Sequence, residues 1–360
     1  MNTISEAILP AAYYWSPEIL EREYECLFPR TWQYVGSRHG LATPGAYFTR
    51  RVGRTPVVIV LDETHVIRAF QNVCAHRCHE VACGAGHARA FTCGYHGWTY
   101  GLDGRLQHAP HVTRAPDLAL TPAPVATLGP LIFVATTASP PPFAEIAADL
   151  SRHIAAGGVD LGALEFAAHD EWRFAANWKI GIENFLECYH CAIAHPGLSS
   201  VVDVRPGTYR LTAMTFTSSQ LAPPNVRSAA ATAGPIREAQ FHYLWPNCTI
   251  TINPGVPNLF INTWLPNGPE DTTGFGDTFF ASDVPAAERE AMLAFNAQVS
   301  REDDLLVESV QRGLRASAAA PRLLDGDERL IAHFQQLVAA ALGAPHAQER
   351  SATTPSCAVT

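Results

Sequence analysis

The sequence predicts an α+β protein of two units, an all-β domain followed by a region that mixes strands with helices. Three observations carry this. The 360 residues are enough to enclose two moderate cores. β-Branched runs bounded by Pro or Gly crowd residues 43–137. The long helical patterns, over 285–314 and 325–342, lie in the second half.

Taken in order, "PVVIVLD" (56–62) and "PLIFVATT" (130–137) read as strands. In "WTYGLDGRLQ" the pair Asp103-Gly104 is a two-residue hairpin signal. The Pro-rich "ASPPPFAE" (138–145) reads as a linker and places a domain boundary there. Residues 177–195 are expected to be one helix, and 241–265 strands interrupted by the turn "NPGVPN". Residues 346–360, ending in "SATTPSCAVT", read as a flexible tail.

Composition is that of a globular protein, with 47% hydrophobic and 16% charged residues and a formal charge of −9. That balance argues against nucleic acid or an anionic membrane as partner, because phosphate recognition needs a clustered basic surface. No export signal is read in "MNTISEAILPAAYYW", and no apolar run approaches the roughly 20 residues of a membrane-spanning helix. The nine cysteines, an odd number, suit a reducing, cytoplasmic setting in which Cys beside His favours metal over disulfide.

The first such constellation is "CAHRCHEVACGAGHARAFTCGYHGW". Cys74 and His76 form one short group, Cys93 and His96 a second. Zinc fingers group Cys with Cys and His with His, whereas two mixed pairs suit a [2Fe–2S] cluster with Cys on one iron and His on the other. Chance clustering in a sheet would explain a lone Cys-x-x-His but not the repeated pair. These residues resemble a Rieske ferredoxin-type domain, with Ala75 and Cys78 as departures. Cys78 stands where that family has Gly, whose positive φ a cysteine adopts only at a cost. Cys78 and Cys83 are expected to be free thiols.

The second is "NFLECYHCAIAH" (184–195). Four zinc ligands from Cys188, His190, Cys191 and His195 would all come from one short segment, which cannot readily surround a tetrahedral ion. His190 and His195, five apart, do not share a helix face, but Pro196 pushes His195 out of the α region and loosens the turn. Two such His suit the 2-His-1-carboxylate iron site. The carboxylate is sought in "AMLAFNAQVSREDDLLVESVQRGL", where Met292, Phe295, Val299, Leu306, Val310 and Leu314 form an apolar stripe. Asp303 falls in that stripe, where a charge needs an ion or an ion pair. Asp304 is turned about 100° away toward water.

Together, "CAH…CGYH", "NWKIGIENFLECYHCAIAH" and "EDDLLVESVQRGL" resemble the α subunit of Rieske-type non-haem iron oxygenases, from about Glu21 to about Leu342. The resemblance implies an all-β Rieske [2Fe–2S] domain over 37–140 and a helix-grip catalytic domain, an antiparallel sheet with helices, over 141–345. Residues 1–36 are then a helical segment packed on the catalytic domain. Cys74, His76, Cys93 and His96 match the cluster ligands, and His190, His195 and Asp303 the ligands of a mononuclear Fe(II). Glu187 matches the residue that carries electrons between neighbouring subunits, which implies a homotrimer, and Asn184 is a further catalytic candidate. Cys188 and Cys191 are packed spectators. Glu187 followed by Cys-Tyr-His-Cys is similar to the branch that oxidises quaternary ammonium compounds, with aromatic ring hydroxylation as the alternative. Tyr243, Trp245, Phe260 and Trp264 are the candidate substrate pocket. No Gly-rich nucleotide fingerprint is present, so a separate NAD(P)H-dependent reductase or ferredoxin is expected beside O2 and a small substrate. A rival of another class is a Rieske electron carrier without catalysis, which would need only the first domain.

Overall fold

A computed structural model of the chain describes residues 3–113, 117–316 and 321–343. The expected tail lies outside the described residues. The chain opens with strand β1 (Ile4–Glu6) and helix α1 (Pro17–Arg22), whose N-cap Ser16 accepts from Ile19 N–H. Then come β2 (Gln33–Ser37), β3 (Ala46–Val52), β4 (Thr55–Leu61), β5 (Ile67–Gln71) and β6 (Ala85–His87). The short strands β7 (Phe91–Thr92), β8 (Thr99–Tyr100) and β9 (Leu106–His108) follow. Last in the first domain are β10 (Pro122–Ala123), β11 (Val125–Leu128) and β12 (Leu131–Val134). The strands build a five-stranded sheet, β10-β5-β4-β3-β6, and two three-stranded sheets, β11-β12-β2 and β7-β8-β9. "PVVIVLD" is buried from Val57 to Asp62 because it lies in the middle of the larger sheet. The hairpin at Asp103-Gly104 joins β8 to β9, with Gly104 at φ +85. A boundary at residue 36 would cut β2, whose ladder to β12 fixes Gln33–Ser37 in the first domain. The linker ends earlier than residue 145, since α2 (Phe143–Ala156) already starts at Phe143.

The second domain contains β13 (Leu164–Phe174), α3 (Trp178–Phe185), α4 (Cys191–Ala194), α5 (Pro196–Val201), β14 (Arg210–Ala213), β15 (Thr217–Ala222) and α6 (Ala229–Ala233). After them come β16 (Ala239–Leu244), β17 (Cys248–Ile252), β18 (Asn258–Gly268), β19 (Asp271–Ala281), α7 (Ala286–Ala316), β20 (Arg322–Leu324) and α8 (Arg329–Ala341). A seven-stranded antiparallel sheet, β13-β19-β18-β17-β16-β15-β14, is its frame. Period-two alternation gives that sheet two different faces. Ile250, Ile252, Leu259, Ile261 and Phe279 pack with α2 residues and with Tyr34 and Phe133 of the first domain. The opposite face receives α3, α8 and the long α7, with Trp178, Ile182 and Phe334 against Phe174, Tyr243 and Trp264.

The N-terminal segment is fastened to this second face. β1 pairs with β20. Lys179 and Glu23, both without solvent exposure, form an ion pair, and Trp178 Nε1–H donates to Glu23 at 2.8 Å. Two hydrogen bonds to one carboxylate and a cation beside it make this burial tolerable, whereas either charge alone would cost several kcal/mol.

Candidate metal centres

Two loops with one backbone pattern present the first set of donors. Cys74 N–H donates to His79 O at 2.8 Å and Cys78 N–H to Cys74 O at 3.0 Å. In the second loop Cys93 N–H donates to Trp98 O at 2.8 Å and Gly97 N–H to Cys93 O at 3.0 Å. Cys78 therefore occupies the place that Gly97 holds in the partner loop, and adopts the same left-handed backbone, φ +59 against +72. For a residue with a Cβ this costs about 1–2 kcal/mol. Cys74 and Cys93 are buried while His76 and His96 are exposed, their rings 4.5 Å apart and Trp98 stacked on His76 at 4.8 Å. The Tyr100 hydroxyl lies 3.1 Å from Cys74 Sγ. Two thiols facing inward and two imidazoles facing outward fit a cluster with chemically distinct ends, so these four residues can hold a [2Fe–2S] group.

The second set arises where α3 fails to continue. One helix over 177–195 was expected, but α3 starts at its Asn177 cap and stops at Phe185. Glu187 ends it: its carboxylate accepts the N–H groups of Tyr189 and His190, drawing them from helical partners. Farther on, His195 has φ −120 and ψ 76 and leaves the α region before Pro196, which heads α5. Cys188 and Cys191 are not separate packed residues; a disulfide joins them across this loop, with Tyr209 hydroxyl 2.9 Å from Cys188 Sγ.

The loop and α7 bring His190, His195 and Asp303 together, one donor atom of each lying within 4.8 Å of the others. His190 Nε2 and His195 Nε2 are 3.1 Å apart, and Asp303 Oδ1 is 3.0 Å from His195 Nε2. Each ring nitrogen on the far side is occupied: His190 Nδ1–H donates to Glu187, and His195 Nδ1–H to Glu302 at 2.8 Å. It is therefore Nε2 of each ring that faces Asp303, and a metal bound there would take the place of the Nε2 protons. Asn184 donates to Asp303 Oδ1 at 2.7 Å. Burial would raise the Asp303 carboxyl, but hydrogen bonds from His190 and His195 outweigh it and hold the group near 2. Burial likewise opposes charge on His190, yet Asp303 and Glu187 carry it up to about 9. Two neutral imidazoles with an anionic carboxylate fit a divalent iron with open positions.

The same face of the sheet lines a cavity of about 690 Å³ that reaches this triad. Its floor follows the register: Trp172, Gly274 and Trp264 form one row, and Asp170, Gly276 and Asn262 the next. The glycines are required by close approach. A Cβ on Gly274 would stand 2.1 Å from the Trp172 ring, and one on Gly276 2.2 Å from Asn262 Oδ1. Trp172 and Trp264 centroids lie 4.6 Å apart, with Phe174 5.7 Å from each. Asp170, Glu171 and Asp304 add carboxylates to this aromatic wall. Asp304 is half-buried rather than facing water, and burial, then Asp303 and Glu308, raise its carboxyl to about 6.

Comparison with known proteins places this geometry. Residues 31–127 match the Rieske [2Fe-2S] domain, and residues 161–344 match the ring hydroxylating alpha subunit (catalytic domain). The chain belongs to the ring-hydroxylating α-subunit family. It is therefore a Rieske non-haem iron oxygenase, carrying a Rieske cluster and a mononuclear iron. The carnitine monooxygenase oxygenase subunit of Acinetobacter baumannii is 31% identical over 92% of this chain and 93% of its own length. The chloroplastic choline monooxygenase of Arabidopsis thaliana is 31% identical over 91% of this chain and 81% of its own length. Among solved structures, the quaternary ammonium Rieske monooxygenase CntA with L-carnitine superposes with a TM-score of 0.80 at 30% identity, over 94% of this chain and 96% of that one. Naphthalene 1,2-dioxygenase from Rhodococcus sp. shares the fold, with a TM-score of 0.78 at 19% identity.

Within this Rieske oxygenase, two of the four aromatic residues picked from the sequence line the cavity and two do not. Phe260 and Trp264 face it. Tyr243 and Trp245 instead pack in the core against Phe334 of α8, 5.9 and 6.0 Å between centroids. The apolar stripe of α7 also shifts: Val310 is half-exposed, and Val307 and Gln311 are the buried pair. Residues that the sequence did not single out are Glu302, Trp172, Phe241, Asn262 and Gln220. Strand alternation marks Trp172, Phe241 and Asn262, while nothing local marks Glu302.

Proposed function

We propose that this chain is the terminal oxygenase component that oxidises a quaternary ammonium compound. The observation that carries the reading is the cavity wall: Trp172, Trp264 and Phe174 beside the carboxylates Asp170, Glu171 and Asp304. A quaternary ammonium group offers no hydrogen-bond donor, and aromatic faces with nearby negative charge attract it at about 0.5–2 kcal/mol per ring. An arene would gain nothing from that negative charge. The named substrates of the relatives, carnitine and choline, both bear such a group.

In this reading Cys74, His76, Cys93 and His96 hold the cluster, and His190, His195 and Asp303 hold the iron. When bound, the cluster delivers single electrons from a separate reductase and the iron activates O2. The chain's own residues do the rest. Glu187 and Glu302 fix the tautomers of His190 and His195. Asn184 keeps Asp303 Oδ1 aimed at the two imidazoles. Phe260 and Trp264 shape the pocket that holds the substrate and limits water. Glu187 further links His190 to the cluster imidazole of a neighbouring subunit in a homotrimer. Exposed apolar side chains support this contact: Tyr189 at 59% and Ile193 at 89% exposure beside the iron loop, and Tyr95 at 52% beside His96.

The test is a product screen of the metal-loaded protein with a surrogate reductase. Oxidation of trimethylammonium compounds is expected. Turnover of arenes with none of any methylammonium compound overturns the substrate assignment.

A further inference from the structure

Cys188 and Cys191 bracket His190, and the disulfide between them closes a short ring of chain around it. The two ends of that ring are not held equally. Cys191 is 3% exposed and packs with Leu198, Val202, Ala222 and Ala239, while its carbonyl accepts His195 N–H at 3.0 Å. Cys188 is half-buried and belongs to no helix or strand. The backbone bond from Cys191 N–H to Cys188 O is long, at 3.3 Å, and correspondingly weak. The bridge is therefore the firm tie between residue 188 and the sheet, with the Tyr209 hydroxyl, 2.9 Å from Cys188 Sγ, as a weaker one.

The neighbour of Cys188 is the residue that aims an imidazole. Glu187 accepts His190 Nδ1–H and the N–H groups of Tyr189 and His190, which sets the tautomer and direction of the His190 ring. Two thiols cannot stay as near each other as two bonded sulfurs. With Cys191 fixed in the core, opening the bridge displaces Cys188, and Glu187 beside it loses its alignment with His190.

We infer that the Cys188–Cys191 bridge is a thiol-controlled latch on the mononuclear site: closed, it holds Glu187 and His190 ready for iron, and opened by a dithiol it weakens that hold. This rests on His190 being an iron ligand, as read above, and makes both cysteines positioning residues. Opening is a thiol–disulfide exchange. Both cysteines line the cavity, and a thiolate of the dithiol attacks Sγ of Cys188, the more exposed of the two. Cys191 leaves as a thiolate and takes a proton. The second thiol of the reagent then displaces Cys188 from the mixed disulfide. The dithiol is oxidised to its own disulfide, and its two protons end on the two cysteines.

The experiment uses the full chain with its cluster in place and the mononuclear iron removed. It is equilibrated anaerobically with oxidised or with reduced dithiothreitol and then freed of the reagent. Alkylation under denaturing conditions, followed by peptide mass, is expected to find Cys188 and Cys191 unlabelled after the first treatment and both labelled after the second. Fe(II) titration against a competing chelator is expected to show about tenfold weaker binding in the reduced form. That loss is reversed on reoxidation, with the iron and sulfide of the cluster unchanged. The double variant Cys188→Ser, Cys191→Ser is expected to bind iron as weakly in both buffers, and the wild-type comparison decides whether or not that variant folds. Labelling of both cysteines after the oxidising treatment overturns the latch, and so does equal iron affinity in the two wild-type forms or a response that survives in the double variant. Tighter binding in the reduced form overturns it too, and would place Cys191 Sγ, 3.9 Å from His190 Nε2, on the metal instead. All four outcomes leave the reading of the iron site standing. Failure of both forms to bind Fe(II) overturns that reading and this inference with it.

Discussion

Replacing Glu302 by alanine removes the acceptor behind an iron-binding imidazole. His195 is 1% exposed at its side chain, and its Nδ1–H has Glu302 Oε2 as partner at 2.8 Å. A carboxylate in this position orients the ring, fixes the tautomer and raises the basicity of Nε2. Such partners change metal affinity about 10–100-fold, or roughly 1.4–2.7 kcal/mol. Glu302 is 26% exposed, which screens its charge and argues for the lower part of that range. The loss is not smaller, because alanine leaves a buried N–H unpaired. Glu302→Gln, which keeps an oxygen acceptor without the charge, is expected to lose less than Glu302→Ala. Fe(II) titration against a competing chelator under anaerobic conditions measures both, with the cluster absorbance as internal standard. Wild-type iron affinity in Glu302→Ala, or equal losses in the two variants, refutes the argument.

Three further outcomes follow from the structure. Cys78→Gly relieves a left-handed residue worth about 1–2 kcal/mol, less about 0.4–1 for the freer unfolded chain, so a small gain in denaturation midpoint is expected with the cluster spectrum retained. Glu183, buried among Tyr14, Gln335 and Lys179, is raised to about 7 by burial; its stability contribution is full below about 4.3 and lost as pH rises to 7, amounting to about 3 kcal/mol. Glu183→Gln should flatten that window in denaturant titrations, and parallel curves for the two proteins would count against it. Asp303→Asn is expected to lose iron while Asp304→Asn keeps it. In the iron-free protein, affinity for a cationic ligand should rise with pH through about 6 as Asp304 ionises, and Asp304→Asn should remove that rise.

Much of the site could be read from the chain because metal ligands come in short, chemically improbable groups. Cys74 to His96 and His190 to His195 are such groups, and Asp303 stood out as a charge within an apolar stripe. What period alone cannot give is position along a strand. Phe241 and Tyr243 share one face of β16, yet the first lines the cavity and the second lies under Phe334. The choice between them is made by where α8 crosses, which is long-range information. Glu302 was missed for a related reason: it looks like any carboxylate on a helix surface until His195 arrives from another segment. The early stop of α3 had no Gly or Pro to announce it. A side-chain carboxylate, that of Glu187, competes for the backbone there, and only its partners' positions reveal this.

The pairing of β1 with β20 means that the first domain is spliced into the second. Residues before β2 are already committed to the catalytic domain through Glu23, Tyr14 and β1, and the chain returns to that domain at α2. During synthesis the Rieske domain is finished at β12, while β1 waits for a partner made near the far end. At roughly 5–20 residues per second this wait lasts on the order of tens of seconds. For most of it both cluster loops are complete and Asp303 does not yet exist. The chain order thus completes the cluster's set of ligands before it supplies the third ligand of the iron site, which comes only with α7.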